Sequence, residues 1–246
     1  AILAHNVGVV AACLWSPRSP SRSAERTEAA KRIVDGAAFD NNVLCIAEKE
    51  VFAFSNIADR LMSEMERVGA FRISGEEIDK VLRTTLINKD GRYVINRKYV
   101  GRDAAVILRD AGVRFTGDPR LVIAEVDRNH PFVTTEMLMP VLAVVRVRDI
   151  DEAVEEAFRA ERGCKHSAMI HSSNVHNMSK AARKLMKAEM SLDGEDRKAA
   201  HRLRLQVQAA FIHRFGHAPE EDTADDRAFA RSRDREAAKV IKANRK

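Results

Sequence analysis

Short apolar runs of strand length alternate with helical segments through the middle of this chain, and that alternation limits the fold more than any other feature. Residues 50–55, 120–126 and 141–147 are rich in Val, Ile, Leu and Phe, and 167–171 reads as a further strand. Between them lie segments of helical spacing. Residues 24–38 place Ala29, Ala30, Ile33, Val34 and Ala37 on one side. Residues 56–68 line up Ile57, Leu61, Met62 and Met65, with Ser55 as the expected N-cap. Ser74-Gly75-Glu76-Glu77 opens a helix to about Leu86 with a capping-box pattern. Lys89-Asp90-Gly91 reads as a turn, and 101–111 as a short helix stopped by Gly112. Residues 149–162 turn Ile150, Ala153, Val154 and Ala157 inward, and 174–190 reads as another helix. Strands that alternate with helices are best buried as a parallel sheet covered on both faces. The expected fold class is therefore α/β, a mostly parallel sheet flanked by helices.

The two ends have a different character. Residues 1–23 finish in Trp15-Ser16-Pro17-Arg18-Ser19-Pro20-Ser21-Arg22-Ser23, which argues against regular structure. Residues 191–246 keep Ala200, Leu203, Val207, Ala210 and Phe211 on one helical face, then become mostly charged. The expected organisation is an irregular arm at 1–23, an α/β domain at 24–190 and a charged helical tail at 191–246.

Composition excludes several classes. The net charge is +6, but acids and bases alternate and no long basic run occurs, so no nucleic-acid partner is expected. Three cysteines, Cys13, Cys45 and Cys164, make no disulfide framework, and a reducing cytoplasmic setting follows. No pair of cysteines has metal-ligand spacing. His166, His171 and His176 recur every five residues, which does not bring them to one face, so no metal is expected. No segment is long enough to span a bilayer. No GxGxxG or GxxxxGK[ST] phosphate loop is present.

Cys45 sits after the polar turn Asp40-Asn41-Asn42 and before a strand, where a loop can bare a thiol while rigid elements hold it. A free thiol with a reference pKa of about 8.5 needs local help to act as a nucleophile, and Lys49 lies four residues on. The competing reading is a small buried hydrophobe. Asp40, Asn41 and Asn42 read chiefly as turn formers. His130 precedes Pro131 and so lies in an extended loop, lining a channel or simply decorating that loop. Met62, Met65, Met137 and Met139 read as core.

The segment Ala37-Ala38-Phe39-Asp40-Asn41-Asn42-Val43-Leu44-Cys45-Ile46-Ala47-Glu48-Lys49 resembles the nucleophile segment of CoA-acylating aldehyde dehydrogenases, such as those of bacterial microcompartments. Arg120–Val126, His130-Pro131-Phe132 and Glu136-Met137-Leu138-Met139-Pro140-Val141-Leu142 agree, as does Gly163-Cys164-Lys165-His166-Ser167. The resemblance covers about residues 28–185. It implies an aldehyde dehydrogenase catalytic domain in which Cys45 attacks an aldehyde, NAD accepts hydride, and coenzyme A takes the acyl group. The backbone N–H of Cys45 would help hold the oxyanion. Glu136 would bind the nicotinamide ribose, although by position alone it reads equally as a surface carboxylate. Asn42 and His130 are candidates for the substrate channel. The implied partners are a short-chain aldehyde and CoA, with a homo-oligomer or microcompartment association as the assembly, and a location in the cytoplasm or a microcompartment. Departures are Leu44 in place of a common proline, and the lack of the dinucleotide-binding domain that precedes the cysteine in the family. A catalytic-domain fragment, inactive alone, is the expectation. The alternative is a non-enzymatic interaction module or relic that assembles through its amphipathic tail helix.

Overall fold

The computed structural model describes residues 10–14, 23–44, 47–161, 169–172, 177 and 180–181, for 10–14, 23–26 and 161 the backbone alone. In chain order the elements are β1 (Val10–Leu14), α1 (Ser23–Ala38), a 3-10 turn (Phe39–Asn42), β2 (Glu50–Phe54), α2 (Ala58–Arg67) and β3 (Ala70–Ile73). Then come α3 (Glu76–Thr85), β4 (Leu86–Lys89), β5 (Arg92–Ile95) and α4 (Ala104–Asp110). The series ends with β6 (Leu121–Glu125), α5 (Pro131–Thr134), β7 (Val141–Val147), α6 (Ile150–Glu161) and β8 (Met169–Ser172).

Among the described residues, six strands form one sheet in the order β3-β6-β7-β2-β1-β8, and every neighbouring pair is parallel. Alternation along each strand divides the core in two. Val51, Ala53, Leu121, Ile123, Leu142 and Val144 face Ile33, Val34, Leu61 and Met62 of α1 and α2. Phe52, Val122, Ala124, Ala143 and Val145 pack on the other side with Val81, Ile107, Phe132, Ala153 and Val154. A parallel sheet buried on both faces asks for unbroken apolar strands, which is why β7 reads Val-Leu-Ala-Val-Val-Arg-Val. Fully burying Phe52 or Phe132 contributes about 1.5–3 kcal/mol each.

The antiparallel pair β4–β5 stands apart as a hairpin with Lys89 opposite Arg92. Asp90 (φ 53°) and Gly91 (φ 83°) both take positive φ between them. Two such residues give the turn whose twist matches the strands, and Asn88 Oδ1 accepts from the Gly91 N–H at 2.9 Å.

Several expectations need correction. Val10–Leu14, inside the segment read as an irregular arm, is a strand pairing with β2 and β8. Its stability comes from neighbours on both sides, which local composition does not carry. Ser55 does not cap α2. Its Oγ donates to the Val147 carbonyl at 3.2 Å, extending the β2–β7 edge, and α2 starts at Ala58 with Ile57 at its N-cap. The helix expected from residue 101 starts at Ala104, after Gly101 turns the chain with φ 67°. Half of the capping box forms at α3, where the Ser74 N–H donates to Glu77 Oε2 at 3.3 Å. The short strand β3 and the hairpin were not anticipated. Of the helix expected at 174–190, only Asn177, Lys180 and Ala181 are described, and the tail at 191–246 lies outside the described residues.

Candidate functional site

The sheet has two chemically distinct edges. At its N-terminal edge, α1 runs into Asp40 (φ 47°), Asn41 (φ 50°) and Asn42 (φ 62°), three successive left-handed residues. Asp and Asn tolerate this region better than other residues with a Cβ, so the sequence Asp-Asn-Asn builds a sharp turn without glycine. Asn41 Nδ2 secures its outer side, donating to the Gly101 carbonyl at 3.0 Å and Asp103 Oδ1 at 2.8 Å.

Asn42 secures the inner side and is only 2 % exposed. Its Nδ2 donates to the carbonyls of Ala37 at 2.7 Å and Glu48 at 2.9 Å. Lys49 Nζ donates back to the Asn42 carbonyl at 2.8 Å and to Oδ1 at 2.5 Å. One side chain therefore ties both ends of the loop at residues 43–47. Cys45 and Ile46, inside this loop, lie outside the described residues, as do Cys164, His166 and His176. Val43 and Leu44 are exposed on its leading side, beside the much more exposed Phe39.

Below the loop, Glu48, Lys49 and Glu50 are all buried. Glu48 rests against Gly36 of α1, where a Cβ would come within 2.1 Å of the Glu48 carboxylate. Burial pushes its pKa from 4.5 up to about 7, opposed by its own backbone N–H and by Lys49. Glu50 is pushed well above its ordinary value, first by burial and then by the negative charge of Glu136, with Lys49 pulling it down. Oε2 of Glu48 and Oε2 of Glu50 are buried without a hydrogen-bond partner. Neutral, protonated carboxyls are how such groups tolerate low dielectric.

Glu136, in the connection from α5 to β7, is 9 % exposed, so the surface-carboxylate reading is set aside. The structure thus brings Asn42, Lys49, Glu50 and Glu136 to one edge. His130 belongs to another element: its Nδ1 accepts from the Phe132 N–H at 3.2 Å and caps the short α5, with Pro131 in the first turn. Burial lowers its pKa, partly offset by Asp79 and Asp127.

At the C-terminal edge the charges are paired and reach solvent. Arg146 donates from Nε to Glu125 Oε1 at 2.5 Å, and from Nη2 to Glu125 Oε2 at 3.0 Å and Asp59 Oδ1 at 2.5 Å. Arg72 adds a 3.2 Å bond to Glu125. Arg128 bonds Glu152 at 2.9 Å and also Glu156. Glu125, Val126, Asp127, Arg128, Val145 and Arg146 line an open groove of about 360 Å³. The described residues contain no cluster of His, Cys, Asp and Glu able to hold a metal, and no helix long and apolar enough to cross a membrane.

The residues missed from sequence were Glu48, Glu50 and Gly36. Their signal was an acid-base-acid triple set directly before Val51-Phe52-Ala53-Phe54. A strand apolar on both faces starts inside the core, so the charges at its entrance are buried with it.

The fold and this edge define a class: a parallel α/β domain in which a tied polar turn and loop precede a central strand. The aldehyde dehydrogenase family model matches residues 21–201, and the chain belongs to that family. It is 45% identical over 168 residues to an acetaldehyde dehydrogenase (acetylating) of Bilophila wadsworthia, covering 65% of this chain and 35% of the relative. It is 40% identical over 164 residues to a propanal dehydrogenase (CoA-propanoylating) of Citrobacter freundii, covering 66% and 35%. Among solved structures, the propionaldehyde dehydrogenase of Rhodopseudomonas palustris with bound propionyl-CoA aligns with a TM-score of 0.65 at 31% identity, covering 74% of this chain and 38% of that one. A propionaldehyde dehydrogenase from the Clostridium phytofermentans fucose utilisation bacterial microcompartment gives 0.65 at 35%, covering 74% and 39%. The chain spans about a third of the length of the curated relatives it matches.

Proposed function

We propose that this chain carries the acyl-transfer site of a CoA-acylating aldehyde dehydrogenase, with Cys45 as the nucleophile and residues 24–190 as its catalytic domain. The supporting observations are the aldehyde dehydrogenase family match over residues 21–201, which include position 45, and 45% identity over 168 residues to an acetylating relative. In this reading the Cys45 thiolate attacks the carbonyl carbon of a short-chain aldehyde, forming a thiohemiacetal, and the backbone N–H of Cys45 helps hold the oxyanion. NAD, when bound, would supply the hydride acceptor that oxidation of this adduct to a thioester requires. Cys45 then holds the acyl group until the thiol of coenzyme A attacks it, and the cysteine sulfur leaves as thiolate.

Glu136 fits one part of the NAD assignment. A buried-edge carboxylate is the acceptor that the paired hydroxyls of a ribose require, whereas no Gly-rich phosphate loop accompanies it. Asn42 enters the proposal as the anchor of the loop, and His130 as a channel-lining candidate. A microcompartment is a proposed setting on a structural neighbour's printed title, and the cytoplasm on the sparse cysteines.

The test uses the 246-residue chain. On incubation with propionyl-CoA, the acyl group should pass from the CoA sulfur to Cys45, read as a mass increase on the peptide carrying that residue, and Cys45→Ser should abolish it. No NADH should form from propanal and NAD with these residues alone, because an unpositioned hydride acceptor forfeits about 7–11 kcal/mol of catalysis. Absence of any acyl transfer to Cys45 in the folded protein sinks the proposal.

A further inference from the structure

We propose that the outer face of the β4–β5 hairpin is a docking surface for an acidic segment of a partner protein, one in which carboxylates alternate with aliphatic side chains.

The charge of this chain is not spread evenly. Residues 80–114 hold nine Lys and Arg against three Asp, an excess equal to the +6 of the whole chain. Elsewhere, Arg72, Arg120, Arg128, Arg146, Arg148 and Arg159 each meet a carboxylate. Around the hairpin that matching stops. Arg83, Lys89, Arg92 and Arg97 are exposed and enter no salt bridge. Lys98 beside them is the exception, paired with Asp110 at 2.9 Å.

Folding gathers these residues. β4 and β5 pair with Lys89 opposite Arg92 and Ile87 opposite Val94. Side chains alternate along a strand, so those four share one face. Leu86, Tyr93 and Ile95 lie on the other face, packed with the core. The Asn96 side-chain amide donates to the Thr84 carbonyl at 3.0 Å, which brings the backbone of Arg97 near that of Arg83 at the base of the hairpin. Nothing lies within 4 Å of where a Cβ on Gly91 would stand, so the tip projects into open space.

Two features of the outer face run against stability. Like charges directly opposite each other on a hairpin are destabilising, and Lys89 and Arg92 hold that position with no acid bonded to either. Ile87 is 44 % exposed on the same face. An edge kept soluble by charge needs the lysine but not the aliphatic side chain. A partner that brings carboxylates to Lys89 and Arg92, and an aliphatic side chain to Ile87 and Val94, relieves both costs. Nucleic acid would supply the charge, but single strands bind by stacking bases on aromatic rings, and here Tyr93 turns to the core and Tyr99 is buried. An acidic polypeptide supplies both charge and apolar contact.

The test is fluorescence anisotropy of a labelled synthetic peptide of alternating glutamate and valine, titrated with the 246-residue chain. Binding is expected at low salt and should weaken as salt is raised. Lys89→Glu combined with Arg92→Glu should weaken it by at least about tenfold, and Ile87→Ser by about fivefold. Arg60→Glu, at an exposed arginine of α2 that also enters no salt bridge, should change it by less than about twofold. Lys89→Glu alone separates docking from misfolding. It creates an opposite-charge pair with Arg92, so its urea midpoint should rise while its affinity for the peptide falls. No binding by the wild-type chain, wild-type affinity in either Lys89 variant, or equal binding of poly-glutamate overturns the inference. Tighter binding of a DNA duplex or of phosphatidylserine vesicles at the same salt also overturns it, and would make the face a site for a different polyanion.

Discussion

The two edges of the sheet use the same residue types in opposite ways. At the C-terminal edge Arg146, Arg72, Glu125 and Asp59 form a matched set whose members are 29–73 % exposed as side chains. At the N-terminal edge Glu48, Lys49 and Glu50 are no more than 4 % exposed, and carboxyl groups exceed the cation. Matched, solvated charges cost little and contribute little. Buried, unmatched carboxyls shift their pKa values upward and hold protons to higher pH than free ones. Strongly perturbed groups concentrate where chemistry is done, and the proposed acyl-carrying loop leaves from this second edge. In many open α/β sheets the ligand crevice lies outside the carboxyl ends of the strands. In this chain the open groove is there, but the carboxyls whose pKa is raised, Glu48 and Glu50, are at the other end.

The largest contrast should come from removing the central cation of the buried edge. Lys49→Met leaves two buried Asn42 oxygens unpaired and should cost about 1–3 kcal/mol for each by urea unfolding; a loss under 1 kcal/mol would put both edges in one class. Next is the pH dependence of stability. Folded Glu48 keeps a proton that the unfolded chain releases above about pH 4.5, so stability should fall as pH rises from about 4.5 to about 7. The fall from this group is up to about 3 kcal/mol, and Glu50 adds in the same direction. Glu152 behaves oppositely. The Arg148 backbone N–H and guanidinium, with Arg128 beside them, lower its pKa from 4.5 to about 2. Its contribution is present above about pH 4.5 and is lost as pH falls toward 2. Glu48→Gln should flatten the upper limb of the stability curve and leave the acid limb; an unchanged upper limb would mean the carboxyl is ionised in the fold.

A smaller effect tests the seat of Glu48. Gly36→Ala should destabilise by about 1–3 kcal/mol because the new methyl displaces a buried carboxyl. In a Glu48→Ala background the same change should be neutral or stabilising by up to about 1 kcal/mol, from helix propensity alone. Equal effects in both backgrounds would show that the two residues are uncoupled. The smallest effect belongs to the paired edge. Arg146→Met should cost about 1 kcal/mol, with the difference shrinking in 0.5 M salt. A salt-independent cost of several kcal/mol would mean that this edge too behaves as buried.

Much of the architecture was legible because periodicity and burial are the same physics. Residues 141–147 were read as a strand and form β7, and the apolar stripe of 24–38 is the face of α1 that packs on the sheet. Ser55 misled because a serine before a helix and a serine at a strand end look alike until a neighbour such as Val147 is in place. β1 was hidden for a related reason. Val10–Leu14 is short, and its partners β2 and β8 lie far along the chain.

By itself the sequence determined the α/β class, a turn at Asp40-Asn41-Asn42 and the membership in the aldehyde dehydrogenase family, because each rests on local pattern or on residue identity. Only the tertiary structure decided that Glu48 and Glu50 are buried acids, that Gly36 is the seat of one of them, and that Lys49 and Asn42 close one loop. Burial and charge coupling depend on which distant segments are stacked above a residue, and no stretch of chain records that in its own letters.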